Sequence, residues 1–151
     1  MDKNMLGIVS CSKEKIWDIK PDIGAVSAQY AYRSAFFELA KRYVQLRCKK
    51  WLILSAKYGL MTPEFQIPQT YDLSFNRAED SCIPMEKLRN QAKKYHSSPT
   101  VLVLCPSLYG AKLEEAFAGS DVEIRHPLRG VGGFGAMHSW LRAENDAFKD
   151  H

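Results

Sequence analysis

Three short apolar runs, far apart along the chain, constrain the fold most strongly. They are Met5–Ser10, Trp51–Ser55 and Thr100–Cys105, and polar residues do not alternate with apolar ones in any of them. Strands that are covered on both faces show this pattern, as the strands of parallel sheets do. The runs therefore predict buried parallel strands, and Val122–Arg125 predicts a shorter fourth strand.

Apolar residues at helical spacing occupy the segments between these strands. They predict helices over Ser27–Cys48, from near Pro84 to about His96, over Ser107–Ala118 and from Phe134 to about Phe148. Alternating strands and helices are typical of a parallel sheet with helices on both faces. We predict a single domain over residues 1–151, of the α/β class, built as a three-layer α/β/α sandwich with a mainly parallel four-stranded sheet.

Composition narrows the classes of function. The 151 residues are 46% hydrophobic and 25% charged, and no apolar run approaches the ~20 residues of a membrane helix. The first residues lack the features of a signal peptide, so we expect a cytoplasmic protein without a membrane partner. The four cysteines and four histidines form no metal-ligand spacing, and the motifs indicate neither a metal site nor a cofactor. The oligomeric state stays open.

Charge is distributed unevenly along the chain. Residues 1–60 contain 11 basic and 5 acidic side chains, whereas residues 61–151 contain 10 and 12. This asymmetry suits a basic face that meets a phosphate-bearing partner. The same cations would equally suit the solvated end of the first long helix, so both interpretations stay open.

The loops that follow the strands are where ligands bind in such folds. In the first of them, Ser10, Cys11, Ser12 and Lys13 bring hydroxyls, backbone N–H groups and a lysine into one turn, with Lys15 two residues on. These groups suit an anion, or they merely close the turn. The Walker pattern is missing, which disfavours nucleoside triphosphate hydrolysis. A packed cysteine is favoured over a nucleophile at Cys11, because no motif places a histidine base near it.

The loop after the second strand carries the most distinctive residues. Ser55, Lys57, Tyr58 and Gly59 offer a hydroxyl, a cation, an aromatic face and a flexible backbone. They suit a sugar phosphate or a stacked base, or form a turn with an extended lysine.

Further candidates come from three later segments. Tyr71 places a ring beside the carboxylate of Asp72, which could instead cap the next turn. Tyr109 follows the third strand. After the fourth strand, a glycine-rich loop precedes a helix and suits a phosphate, and its candidates are Arg129, Gly130, Gly132 and Gly133. We expect these loops to line a single cleft.

Several segments together resemble a small domain of unknown function found in bacteria and phages. They are Val9–Lys13, Leu52–Met61, Tyr71–Phe75, Leu108–Leu113 and Pro127–Gly132. The resemblance runs from residue 6 to about residue 142. That family is similar to the YaaA peroxide-stress proteins and, more remotely, to the accessory domain of archaeosine tRNA transglycosylases and the uracil-DNA glycosylase fold.

The resemblance implies an α/β/α sandwich associated with nucleic acid or modified nucleobases. The Gln-Asp-Pro signature of uracil-DNA glycosylases is absent after the first strand, so that activity is not carried over. The family's motif positions fall on Ser10, Cys11, Ser12, Lys13, Ser55, Lys57, Tyr58, Gly59, Tyr71, Asp72, Tyr109, Leu128, Gly130 and Gly133.

Two classes of function remain. The first is an enzyme of N-glycosidic or nucleobase chemistry that acts on a nucleotide or nucleic acid, with DNA favoured over RNA. Asp72 would be its catalytic carboxylate, because cleavage at an anomeric carbon builds positive charge. Lys13, Lys57 and Arg129 would bind phosphate, and Tyr58 would stack on the base. The alternative is a module without catalysis that binds DNA or senses nucleotides, with affinity that falls steeply with salt.

Overall fold

A central sheet and a small separate ribbon contain all the strands of the described chain. The computed structural model describes residues 4–77 and 79–149, so the ends of the predicted domain lie outside the described residues. The strands are β1 (Met5–Ser10), β2 (Val26–Ser27), β3 (Lys50–Ser55), β4 (Gly59–Met61), β5 (Gln66–Ile67), β6 (Thr100–Leu104) and β7 (Glu123–Arg125). The sheet has the order β4-β3-β1-β6-β7, and the ribbon pairs β2 with β5.

The sheet is parallel except at one edge. Strands β3, β1, β6 and β7 run parallel, in the registers Leu6 with Lys50, Leu6 with Val101, and Val101 with Ile124. Strand β4 is antiparallel to β3. The sheet therefore has five strands, one more than the sequence predicts, because β4 forms inside the long connection after β3.

Helices cover both faces of the sheet. They are α1 (Ala28–Ala31), α2 (Ala35–Arg47), α3 (Met85–Ala92), α4 (Ser107–Ala116) and α5 (Phe134–Lys149). Helices α2 and α5 pack together on one face, and α3 and α4 pack together on the other. Alternate residues of β1 serve the two layers, since Ile8 packs on the α3–α4 side and Val9 on the α2–α5 side. The predicted α/β/α sandwich is confirmed.

The predicted helix over Ser27–Cys48 is broken into α1 and α2. The apolar spacing continues across the break, but Tyr32 adopts an extended backbone and is buried in the core. Ser34 then begins α2 as its N-cap, because its hydroxyl accepts a hydrogen bond from the Phe37 N–H at 3.0 Å. Helix α3 is also shorter than predicted and continues as a 3-10 turn over Lys93–Tyr95.

Strand order reverses at β1. From β1 the chain moves through α2 to β3 on one side, and from β3 it later crosses to β6 on the other side. In open α/β sheets, ligands bind outside the carboxyl ends of the strands at such a reversal. The loops after β1 and β6 are thus the first places to look for a site. None of the helices in residues 4–77 and 79–149 combines the length and apolar character needed to cross a membrane.

Candidate functional site

A pocket of about 330 Å³ lies beyond the carboxyl ends of β1 and β6. We call it the main pocket, and it is lined by Cys11, Ser12, Lys13, Lys15, Asp72, Leu73, Ser74, Asn76, Arg77 and Tyr109. A second pocket of about 530 Å³, the side pocket, shares Lys13, Lys15 and Asp72 with it and is also lined by Glu14, Asp18, Thr70 and Tyr71. The loop after β1, the segment 70–77 and the first turn of α4 therefore meet at one place.

A chain of buried hydroxyl groups supports the pocket from below. The Tyr71 hydroxyl lies 2.8 Å from Ser55 Oγ and 2.5 Å from the Tyr32 hydroxyl. Ser55 Oγ already accepts the N–H groups of Lys57 and Tyr58, at 3.1 and 3.2 Å. A hydroxyl has one proton to donate, so Ser55 donates to Tyr71, and Tyr71 donates to Tyr32. Burial raises the pKa of both tyrosines, which stay protonated.

Lys15 is the buried cation of the site. Its residue is 4% exposed, and its Nζ lies 4.7 Å from the centre of the Tyr71 ring and donates to the Lys13 carbonyl at 3.2 Å. Burial lowers the pKa of this ammonium, against the opposing influence of nearby acidic groups. Lys13 itself is exposed and lines both pockets, as an anion-binding lysine would.

Asp72 lies at the rim and pairs with Arg77. The two side chains are 67% and 57% exposed, and Arg77 Nη2 donates to Asp72 Oδ1 at 2.5 Å. This hydrogen bond and charge hold the pKa of Asp72 below its usual value, with smaller contributions from Lys15 and Lys13. Asp72 does not close the following turn, since Ser74 accepts the N–H groups of Asn76 and Arg77 there. Asp72 is therefore an ionised carboxylate facing both pockets.

Cys11 behaves as a packed thiol. Its Sγ lies 3.9 Å from the Tyr109 hydroxyl, and its backbone N–H donates to the Leu54 carbonyl at 3.0 Å. Burial raises the pKa of Cys11, so the nucleophilic thiolate is disfavoured, as the sequence interpretation expects. The Tyr109 ring packs on Phe75 with 4.7 Å between ring centres, and burial raises the pKa of Tyr109 to about 12.

The two serines of the first loop contribute differently. Ser10 is buried at the end of β1, and Ser12 donates its hydroxyl proton to the Glu14 carbonyl at 2.8 Å. This bond closes the turn and leaves the lone pairs of Ser12 on the pocket side, where only a donor could use them.

Lys57, Tyr58 and Gly59 adjoin the site but are not among the residues that line either pocket. Lys57 Nζ lies 5.8 Å from the centre of the Tyr71 ring, and Tyr58 packs edge-on against Tyr71 at 5.4 Å. Gln91 fixes this turn from α3, because its side chain accepts from the Leu60 N–H at 2.7 Å and donates to the Tyr58 carbonyl at 3.0 Å. Their direct contact with a ligand stays a prediction.

The glycine-rich loop lies apart from these contacts. Leu128 is buried in the core on the α2–α5 side, while Arg129, Gly130 and Gly133 are exposed. The residues of this loop, Gly132 included, line neither the main nor the side pocket. Phosphate binding by this loop also stays a prediction.

Four contributors were missed by sequence reasoning: Tyr32, Ser74, Asn76 and Arg77. Tyr32 lies in a stretch of helical spacing, and only the chain break before Ser34 turns it toward Tyr71. Arg77 had one detectable signal, an opposite charge five residues after Asp72 in a loop rich in turn-forming residues. Among the described residues, no group of three histidine, cysteine or acidic side chains could hold a metal ion.

Comparison with known proteins extends over almost the whole chain. A family model described as "Family of unknown function (DUF6884)" matches residues 6–143. The uncharacterized protein YfjM of Bacillus subtilis (strain 168) is 33% identical over 147 residues, which are 96% of this chain and 95% of that protein. The match covers every strand of the central sheet except the first residue of β1, and every loop of the pockets. The chain belongs to this family of unknown function, DUF6884.

Proposed function

We propose that this protein binds a nucleotide, free or within a nucleic acid, in the main pocket and acts on its N-glycosidic bond. The observation that carries the proposal is the lining of this pocket. Lys13, Lys15 and Arg77 surround a single ionised carboxylate, Asp72, at the point of the fold where strand order reverses.

The cations suit the phosphate of such a ligand. Lys13 is exposed at the mouth of both pockets, and Arg77 offers donors that its pair with Asp72 does not use. Tyr109 and Leu73 give the same pocket an apolar side. A polar mouth and a partly apolar wall together suit a sugar phosphate that carries a base.

Asp72 supplies the negative charge that the reaction needs. Cleavage at an anomeric carbon develops positive charge on the sugar, and a fixed carboxylate lowers the energy of that state. Because the pKa of Asp72 is lowered, this residue stabilises charge or activates water and does not serve as the proton donor.

The sequence resemblance supports the same class of ligand. The motifs around Ser10–Lys13 and Ser55–Gly59 resemble those of proteins similar to the YaaA family and, more remotely, of the uracil-DNA glycosylase fold. Those likenesses favour a nucleic-acid or nucleobase ligand, with DNA over RNA.

A second candidate function is binding without chemistry, either to DNA or to a sensed nucleotide. The exposure of Asp72 favours it, because a carboxylate in contact with water and paired with Arg77 is weaker in electrostatic catalysis than one in a dry site. In this case the lysines would follow a phosphate backbone, and affinity would depend steeply on salt.

Release of free base separates the two functions. Wild-type protein is incubated with nucleosides, nucleotides and normal or damaged DNA and RNA oligonucleotides, and free base is measured by chromatography with mass detection. Asp72→Asn should retain ligand affinity and lose base release, whereas Asp121→Asn, an exposed acid before β7, should retain both. Binding with no release from any substrate would replace the enzyme by the binding module. Equal release by wild type and Asp72→Asn would remove Asp72 from the mechanism.

A further inference from the structure

Lys15 is a buried lysine whose neighbouring carboxylates are engaged elsewhere. Asp18 Oδ2 accepts a hydrogen bond from the backbone N–H of Lys15 at 2.9 Å, and Asp72 pairs with Arg77. In the part of the chain that the structure describes, no carboxylate lies within ion-pair distance of Lys15 Nζ. A buried ammonium without a counter-ion is costly, so this site favours the neutral amine.

The hydrogen bonding of Lys15 leaves its amine available. Nζ donates to the Lys13 carbonyl at 3.2 Å, and its other near neighbours are the faces of Tyr71 and Tyr32, at 4.7 and 6.0 Å from the ring centres. These rings hold the side chain in place without accepting its protons as a carboxylate would. Lys15 also lines both pockets, so a ligand in either one meets the amine.

The other lysines near the site differ in this respect. Lys13 and Lys57 are exposed to water, which keeps a lysine charged and non-nucleophilic at neutral pH. Desolvation and a second nearby cation are the two devices by which proteins turn a lysine into a nucleophile toward carbonyl groups. Lys15 has both, since Lys13 lines the same pockets.

We propose that Lys15 Nζ forms a Schiff base with the aldehyde of a phosphorylated sugar in the main pocket. Such an aldehyde is the open-chain form that remains at an anomeric carbon once its base has been removed. The neutral amine attacks the aldehyde carbon, a C–N bond forms, and the carbonyl oxygen leaves as water with the two protons of the amine. Lys13 and Arg77 hold the phosphate that positions the sugar.

This chemistry deepens the proposed function and rests on the main pocket being a nucleotide site. It places Lys15 after base removal, as the group that holds the sugar product covalently. Hydrolysis of the imine returns the aldehyde and the free amine, so Lys15 is regenerated.

Borohydride reduction tests the proposal directly. Wild-type protein is mixed with ribose 5-phosphate or with an oligonucleotide containing an abasic site, and borohydride then donates hydride to the imine carbon and makes the link permanent. Intact mass measurement should give one adduct per chain, and peptide fragmentation should place it on Lys15. Lys15→Arg and Lys15→Met should lose at least nine-tenths of the adduct. Lys94→Arg, an exposed lysine before β6, should retain it.

The mapping on wild-type protein does not depend on how the variants fold. No adduct, or an adduct spread evenly over exposed lysines, would overturn the proposal, and so would equal trapping by wild type and Lys15→Arg. Base release without trapping would leave the proposed function standing and remove this inference. Trapping on Lys15 without base release would do the reverse.

Discussion

Arg77 Nη2 donates to Asp72 Oδ1 at 2.5 Å although more than half of each side chain is exposed to water. Exposed ion pairs contribute little to stability, because water screens them and holding both side chains costs entropy. The consequence of this pair lies in protonation, since it keeps the one carboxylate shared by both pockets charged in acid.

Removing Arg77 should therefore change the titration of Asp72. In Arg77→Gln the hydrogen bond and the charge are both lost, so the pKa of Asp72 should rise toward its ordinary value, and any activity that needs the carboxylate should be lost at higher pH than in wild type. Carbon-13 NMR of the Asp72 carboxyl measures this directly. Arg125→Gln, which breaks a similar exposed pair with Glu123 on β7, should leave the Asp72 titration unchanged. An unshifted Asp72 in Arg77→Gln would contradict the role of the pair.

Tyr71→Phe should destabilise the protein by about 1–3 kcal/mol. The change leaves the buried hydroxyls of Ser55 and Tyr32 without their shared partner. Chemical denaturation measures the free energy of unfolding, and Tyr30→Phe, whose residue is 64% exposed, is the matched control with an expected effect within about 0.5 kcal/mol. A Tyr71→Phe effect as small as that of the control would show that the hydroxyl chain adds no net stability.

Gly59→Ala should cost more than Gly24→Ala. Both glycines have positive φ, 76° and 83°, and this backbone costs a residue with a Cβ roughly 1–2 kcal/mol. At Gly59 a Cβ would also collide with the side chains of Gln91 and Ile83, whereas nothing lies within 4 Å at Gly24. The difference between the two losses of unfolding free energy isolates the packing of α3 against the turn. Equal losses would mean that Gln91 moves aside freely.

Lys15→Met should stabilise the protein at neutral pH, and the gain should shrink in alkali. The folded state lowers the pKa of Lys15 from its ordinary value of 10.5, so the cost of burying the charge is fully present below the lowered pKa. Above it the unfolded state binds more protons, and wild-type stability rises until both states are neutral. The acidic groups that act on Lys15 are Cys11, Asp72, Asp18 and Glu14, and all of them remain in the variant.

Denaturant midpoints of wild type and Lys15→Met, compared at a series of pH values from 7 to about 10.5, measure this difference. A variant that is less stable than wild type throughout would show that the ring contacts and the bond to the Lys13 carbonyl outweigh desolvation.

Lys13→Ala should weaken binding of a phosphorylated ligand without unfolding the protein. Lys13 is exposed, so its loss should change stability by no more than about 0.5 kcal/mol. For a DNA ligand, the dependence of affinity on salt should fall by about one charge, which anisotropy titrations at several salt concentrations measure. Lys94→Ala should change neither quantity. An unchanged affinity in Lys13→Ala would exclude this lysine from the site.

The sequence predicts the layers of this fold better than its connections. Strands β1, β3 and β6 are continuous apolar runs, and such runs have few alternatives to a buried strand. Strand β4 was missed because its three residues are strand-like only through pairing with β3, in the register Leu54 with Leu60. The break between α1 and α2 was missed because apolar spacing continues across it, although Ser34 carried a visible capping signal.

The site was predicted in part, for the same reason. The loop after β1 and Asp72 lie together in the main pocket because strand order places them there. The pair of Asp72 with Arg77 and the bond from Tyr71 to Tyr32 depend on how a loop without regular period turns. No local propensity encodes such a contact, so sequence patterns could not reveal it.

The hydroxyl chain makes the wall of the pocket part of one cooperative unit. Tyr71 joins the end of β3, the break before α2 and the segment 70–77, and Ser55 extends this link to the amides of Lys57 and Tyr58. A fluctuation that lifts Tyr71 away would therefore expose those amides to solvent exchange together. A ligand that holds the segment 70–77 in place should slow hydrogen exchange at Lys57 and Tyr58, two amides that it does not touch.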